Sequence, residues 1–137
     1  GDFKTALEAA QAEKKTNPNI ADSYILSAEV YMARRQFTEC ASEYAHAMKL
    51  RPQGADIYVK TASCYRRAGS LEVAEDMLAM ASERENGYAD IYKEQGAIYE
   101  IKGDTRSAAM AYKKYIGLSP NALDRAEIEM KILSLGE

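Results

Sequence analysis

Apolar and small residues return along this chain at helical spacing. Tyr58, Thr61, Ala62 and Tyr65 fall at i, i+3, i+4 and i+7, one face of a helix. Leu71, Ala74, Leu78 and Ala81 mark the inner side of a second amphipathic stretch. Gly69-Ser70 separates the two, and Gly103-Asp104 interrupts the next pair in the same way. Pro18, Pro52 and Pro120 stop helices from continuing. Asp56, near the start of its helix, is placed to cap free amides and to meet the favourable end of the dipole. No segment alternates with the period of a strand. The pattern predicts an all-α chain of helices paired by short turns.

The pairs repeat. Asp56-Ile57-Tyr58 recurs as Asp90-Ile91-Tyr92, 34 residues on, with a diverged copy at Asp22-Ser23-Tyr24. Tyr24, Tyr58 and Tyr92 share one column; Tyr31, Tyr65 and Tyr99 share another. Between them stand the small residues Ala28, Ala62 and Gly96. Later in the unit come Ala6, Cys40, Ala74 and Ala108, followed by Ala10, Tyr44, Leu78 and Tyr112. Prolines close the unit, except that Asn86 takes the place between Pro52 and Pro120. A fixed period of this size marks an array of one supersecondary unit. Small residues let two backbones approach, and the tyrosines fill the space beside them.

The outline Tyr92-x2-Gln95-Gly96-x2-Tyr99…Ala108-x3-Tyr112…Pro120 resembles the tetratricopeptide repeat. The resemblance covers almost the whole chain, and the 34-residue step with its prolines fits it better than pentatricopeptide or Sel1-like repeats. It implies a right-handed α-solenoid of antiparallel helix pairs. Residues 1–18 read as the second helix of a preceding repeat, 21–54, 55–88 and 89–122 as full repeats, and 123–135 as a capping helix. The family's leucine is replaced by Ser27, Thr61 or Gln95. Ser27 and Thr61 can bond back to a carbonyl one turn earlier; Gln95 is left needing a partner.

The resemblance also implies a concave face lined by first helices. Carried onto this chain, that face holds Ile25, Glu29 and Met32, then Val59, Ser63, Arg66 and Arg67, then Lys93, Ala97 and Glu100. These columns vary between units while the packing columns repeat. An apolar strip of Ile25, Met32 and Val59 followed by Arg66, Arg67 and Lys93 would suit an amphipathic helix or extended peptide with acidic residues. Family members that grip chaperone tails use Lys, Asn and Arg on first helices; only Lys93 fits that set here. Arg34-Arg35, Arg66-Arg67 and Lys102 mark a second surface, on the turn edge. In the capping helix, Asp124, Arg125, Glu127, Glu129 and Lys131 supply a polar outer face. Ile128, Ile132 and Leu135 exceed what one neighbour covers, which suggests a homodimer through residues 123–135 or packing on a missing segment.

Composition narrows function chiefly by exclusion. The 137 residues carry a net charge of −3 with no run of five like charges, against phosphate-neutralising nucleic-acid binding. Apolar runs are too short to span a membrane. The chain opens at Gly1, halfway through a unit and without Met, as a piece of a longer protein would. Cys40 and Cys64 occupy hydrophobic columns and read as buried reduced thiols, pointing to a cytoplasmic setting; a disulfide would instead suggest export. His46, the only histidine, has no partner at metal spacing and is expected on a solvated face. No phosphate-binding loop, nucleophile elbow or nucleophile–base pair is legible, so no catalytic residue and no cofactor is assigned. Eight of the ten tyrosines are core by periodicity; Tyr88 opens a unit, and Tyr115 would fill space against the last helix. The reading is a non-catalytic scaffold holding a partner's peptide or helix. The alternative is a self-assembly module acting through the terminal helix.

Overall fold

The computed structural model describes residues 2–136; Gly1, where the first expected segment opens, lies outside them. The described residues form α1 (Phe3–Thr16), α2 (Ala21–Ala33), α3 (Phe37–Leu50), α4 (Ala55–Arg67), α5 (Leu71–Arg84), α6 (Ala89–Lys102), α7 (Thr105–Leu118) and α8 (Arg125–Ser134). No strand occurs among them. Each helix packs on its chain neighbours, and α4 also lies against α6. The result is a right-handed α-solenoid in which the core is a continuous seam.

Helix ends follow local chemistry. Asp2 and Asp104 cap α1 and α7 by accepting from the backbone N–H groups of Thr5 and Ser107, each at 3.1 Å. Pro18, Pro52 and Pro120 stand two residues beyond the ends of α1, α3 and α7. The expected cap at Asp56 does not form. Gly54 is the N-cap of α4 and makes no side-chain bond, while Asp56, two positions too far in, pairs with Arg51 at 3.2 Å.

The turn between α2 and α3 departs from its sisters. Gly69 (φ 91°) and Gly103 (φ 79°) end α4 and α6 in the left-handed region, where Cβ is a burden. The corresponding residue after α2 is Arg35, held at φ 60°. A side chain there costs about 1 kcal/mol relative to glycine. The next residue, Gln36, provides no side-chain cap for α3, and its Oε1 is buried with no hydrogen-bond partner among the described residues.

Small columns do what their spacing implies. Ala28, Ala62, Cys40, Ala74 and Ala108 are fully buried. At Gly96 the approach is closest, since a Cβ would stand 2.5 Å from Cε1 of Tyr112. Ser27 and Thr61, buried in the seam, donate to the carbonyls of Ser23 and Ile57 at 3.1 and 2.7 Å, as expected for mid-helix hydroxyls. The tyrosine columns divide. Tyr44, Tyr58 and Tyr112 are buried, but Tyr24, Tyr31, Tyr65, Tyr92 and Tyr99 are only half-buried. Tyr24 and Tyr92 show why: their rings pack inward while their hydroxyls donate to loop carbonyls of Pro18 and Asn86 at 3.3 and 3.1 Å. A phenol needs such an outlet when its ring is buried.

Cys40 on α3 and Cys64 on α4 are joined by a disulfide, which corrects the expectation of separate thiols. Both side chains are fully buried, as their columns require. The second helix of one pair lies against the first helix of the next and brings the two Cα atoms to 5.9 Å, inside disulfide reach.

Candidate partner-binding site

First helices of successive pairs stand side by side, so α4 and α6 share a face, and α8 extends the row. Together with Tyr112 of α7 they enclose an open cavity of ≈ 590 Å³. Ser63, Arg66 and Arg67 come from α4; Lys93, Glu94, Ala97, Glu100 and Ile101 from α6; Glu127, Ile128 and Lys131 from α8. Six of the ten expected groove residues are therefore brought together: Ser63, Arg66, Arg67, Lys93, Ala97 and Glu100. The small side chains of Ser63 and Ala97 leave the volume unfilled.

The walls are charged, and most of the charge is already paired. Arg66 forks onto Glu94, with Nε to Oε2 at 2.7 Å and Nη2 to Oε1 at 3.3 Å. This pair is largely shielded from water, at 19% and 14% side-chain exposure, which makes its geometry durable. Lys93 pairs with Asp124 at 2.5 Å, and Lys131 with Glu100 at 3.2 Å. Glu100 also accepts from the Tyr112 hydroxyl, and Asp124 from that of Tyr115 at 2.6 Å. Burial, and behind it the bond to Glu100, pushes the Tyr112 phenol well above its ordinary range. Burial and then the Asp124 bond do the same for Tyr115. For Asp124 burial works against ionisation, but the Lys93 and Tyr115 hydrogen bonds outweigh it and hold the carboxyl below its usual value. The cavity thus offers alternating charge held in place, not a free cationic strip.

The other four expected residues lie elsewhere. Val59 is 6% exposed and packs with Ala55, Tyr58 and Ala62, so it is mostly core, and what it exposes lines a smaller hollow with Ser63, Lys93 and Glu94. Ile25 and Met32 are half-buried against the cluster of α2, α3 and α4, and Glu29 is exposed outside the cavity. The apolar strip is reduced, because α3 and α4 partly cover Ile25 and Met32, and Val59 is buried. The turn-edge cluster shrinks as well: Arg66 is taken by Glu94, and Lys102 pairs with Glu75. His46 is exposed, as expected, with its ring centroid 5.4 Å from that of Tyr24. On α8, Ile128 and Ile132 are buried and Leu135 is half-buried, so α7 covers the residues expected to be spare. The uncovered apolar residues are Met130 and Leu133, at 67% and 68% exposure.

Sequence reasoning missed Glu94, Tyr112, Glu127 and Lys131. Glu127 and Lys131 had a signal, since they stand one 34-residue step after Lys93 and Ala97. Extending the groove columns into the terminal helix finds them. Tyr112 was legible only as core; its ring is, while its hydroxyl reaches the site.

No known family model matches the chain. It is 28% identical over 74 residues to a probable UDP-N-acetylglucosamine–peptide N-acetylglucosaminyltransferase, SEC, of Arabidopsis thaliana; the match covers 54% of this chain and spans only 8% of that protein's length. Among solved structures, TTC0263, a thermophilic TPR protein of Thermus thermophilus, superposes with a TM-score of 0.81 at 20% identity, covering 97% of this chain and 72% of that one. The first TPR of Spaghetti (RPAP3), bound to the HSP90 peptide SRMEEVD, does so with a TM-score of 0.70 at 21% identity, over 85% of this chain and 94% of that one. At these identities the likeness is one of fold.

Proposed function

We propose, from the premise that this chain carries the tetratricopeptide-repeat fold, that it is a non-catalytic scaffold holding a segment of a partner protein in the cavity between α4, α6 and α8. The observation that carries the reading is the ≈ 590 Å³ space lined by columns that vary from unit to unit. A structural neighbour with a bound peptide supports it. Because Arg66, Lys93 and Lys131 already face carboxylates, the favoured segment carries both signs of charge along its length and is not uniformly acidic. Fixed alternating charge selects register and partner more than it adds affinity. The Cys40–Cys64 disulfide supports an oxidising compartment as its working place, in contrast to the reducing one expected from the sequence.

The test is selection of binders from a displayed random-peptide library against the wild type and Ala97→Phe. Ala97 is half-buried at the cavity, so an aromatic ring there fills the space without entering the seam. The wild type is expected to enrich peptides of shared pattern, which Ala97→Phe binds at least tenfold more weakly, about 1.4 kcal/mol. Equal binding by both proteins would remove the cavity as the site.

A second reading, self-association through the terminal helix, is favoured by the exposed Met130 and Leu133. It requires a mass that rises with concentration in light scattering and falls to the monomer in Leu133→Glu. A monomeric wild type throughout the range excludes it.

A further inference from the structure

Among the described residues, the turn edge between α2 and α3 combines features that the other turns do not share. The Arg35 and Arg67 guanidinium carbons sit 5.5 and 5.3 Å from the centroid of one ring, Phe37, and Arg67 Nη1 reaches Met32 Sδ at 3.5 Å. Arg34 precedes Arg35 in the same turn. Among the described residues none of these three arginines has a carboxylate within ion-pair distance, whereas Arg66, Lys93, Lys102 and Lys131 all do. All three are exposed. The patch is therefore a concentration of free positive charge on a chain whose net charge is −3.

Two neighbouring positions have given up local stability. Arg35 occupies a left-handed turn residue at φ 60°, where the sister units place Gly69 and Gly103. Gln36 stands in the N-cap column of Asp2, Ser70 and Asp104, where the two aspartates cap and Ser70, like Gln36, does not. Local rules broken side by side are the kind of feature found at sites of contact with something else. Phe37 holds both guanidinium groups beside its ring, and apart from the Arg67 Nη1 contact with Met32 their planar N–H donors match a carboxylate.

We propose that this edge, formed by Arg34, Arg35, Phe37 and Arg67, docks an acidic segment of a partner protein through its carboxylates. A nucleic acid is disfavoured because its affinity rests on many phosphates neutralised along a track, and Arg66, Lys93, Lys102 and Lys131 are already paired with carboxylates. Arg67 also lines the cavity of α4, α6 and α8, so an acidic stretch here can flank a segment held there. The proposal does not depend on the cavity being occupied.

The test titrates the full chain into a fluorescent, end-capped peptide of mixed Glu and Asp, read by anisotropy. Binding is expected at low salt and is lost at ~1 M, where the screening length is about 3 Å. Arg35→Gly combined with Arg67→Gln should weaken it about tenfold. Arg35→Gly alone should weaken it by a smaller factor while raising the melting temperature by a few degrees, since it restores the sister turn. Arg106→Gln, at an exposed cation on α7, and Ala97→Phe should leave the affinity unchanged. The proposal is overturned if the wild type does not bind, if the double variant binds as well, or if Arg106→Gln loses as much. It is equally overturned if Arg35→Gly fails to raise the melting temperature, if Ala97→Phe abolishes binding, or if a single-stranded oligonucleotide of equal length binds more tightly than the peptide.

Discussion

Reduction of the Cys40–Cys64 disulfide is expected to lower the stability of the array by ~3.5 kcal/mol. That figure follows from releasing a loop closed across 24 residues in the unfolded chain. The position of the bond makes the consequence larger than a uniform loss. It ties α3 to α4, the junction between one helix pair and the next. In a repeat array each unit is held only by its neighbours, so weakening one junction loosens everything on the short side of it. Helices α1 to α3 should then melt ahead of α4 to α8, and a single urea transition should broaden or split. Denaturation followed by circular dichroism, with and without reductant, measures this. Cys40→Ala with Cys64→Ala must reproduce the reduced behaviour, because both positions are fully buried and accept a small apolar side chain. Coincident oxidised and reduced curves would show that the bond contributes nothing.

Gly96→Leu should be the most damaging single replacement in the α6–α7 pair, at about 3 kcal/mol. A Cβ at Gly96 meets three ring atoms of Tyr112 at 2.5, 2.6 and 2.8 Å. That ring is 2% exposed and its hydroxyl donates to Glu100, so it has no free direction in which to swing. The two helices must separate, and the cavity wall formed by Glu100 and Tyr112 moves with them. The sister pairs combine Ala28 with Tyr44 and Ala62 with Leu78, so the column tolerates one methyl group where the facing ring is placed to allow it. Tyr112→Leu added to Gly96→Leu should therefore recover part of the loss, and the recovered fraction measures their coupling. If the double variant is no better than the sum of the singles, the close approach is not what makes Gly96 necessary.

Both results bear on what could be read from residues alone. Gly96 was legible, because it falls in a small column between two tyrosine columns and the facing Tyr112 has its own column. The disulfide was not. Cys40 and Cys64 satisfy their hydrophobic columns whether bonded or free, and only the distance between α3 and α4 distinguishes the two states. Val59 shows the opposite failure. Its column elsewhere holds Ile25, Lys93 and Glu127 and looked like surface, yet Val59 packs with Tyr58 and Ala62 and is mostly hidden.

Residue order alone dictated the helices, their turns, the pairing and the solenoid. Those features depend on which residues recur within a single helical face and on where glycine and proline interrupt it, and both are local properties of the chain. Packing in three dimensions settled which groove positions stay open, which cations are free, and that two thiols are one bond. Exposure and charge pairing depend on side chains from helices a full repeat apart: Arg66 meets Glu94, Lys93 meets Asp124, and Glu100 meets Lys131. A period shows that such residues are neighbours in the array. It does not show which of them reach each other, because that is set by the spacing and tilt of packed helices.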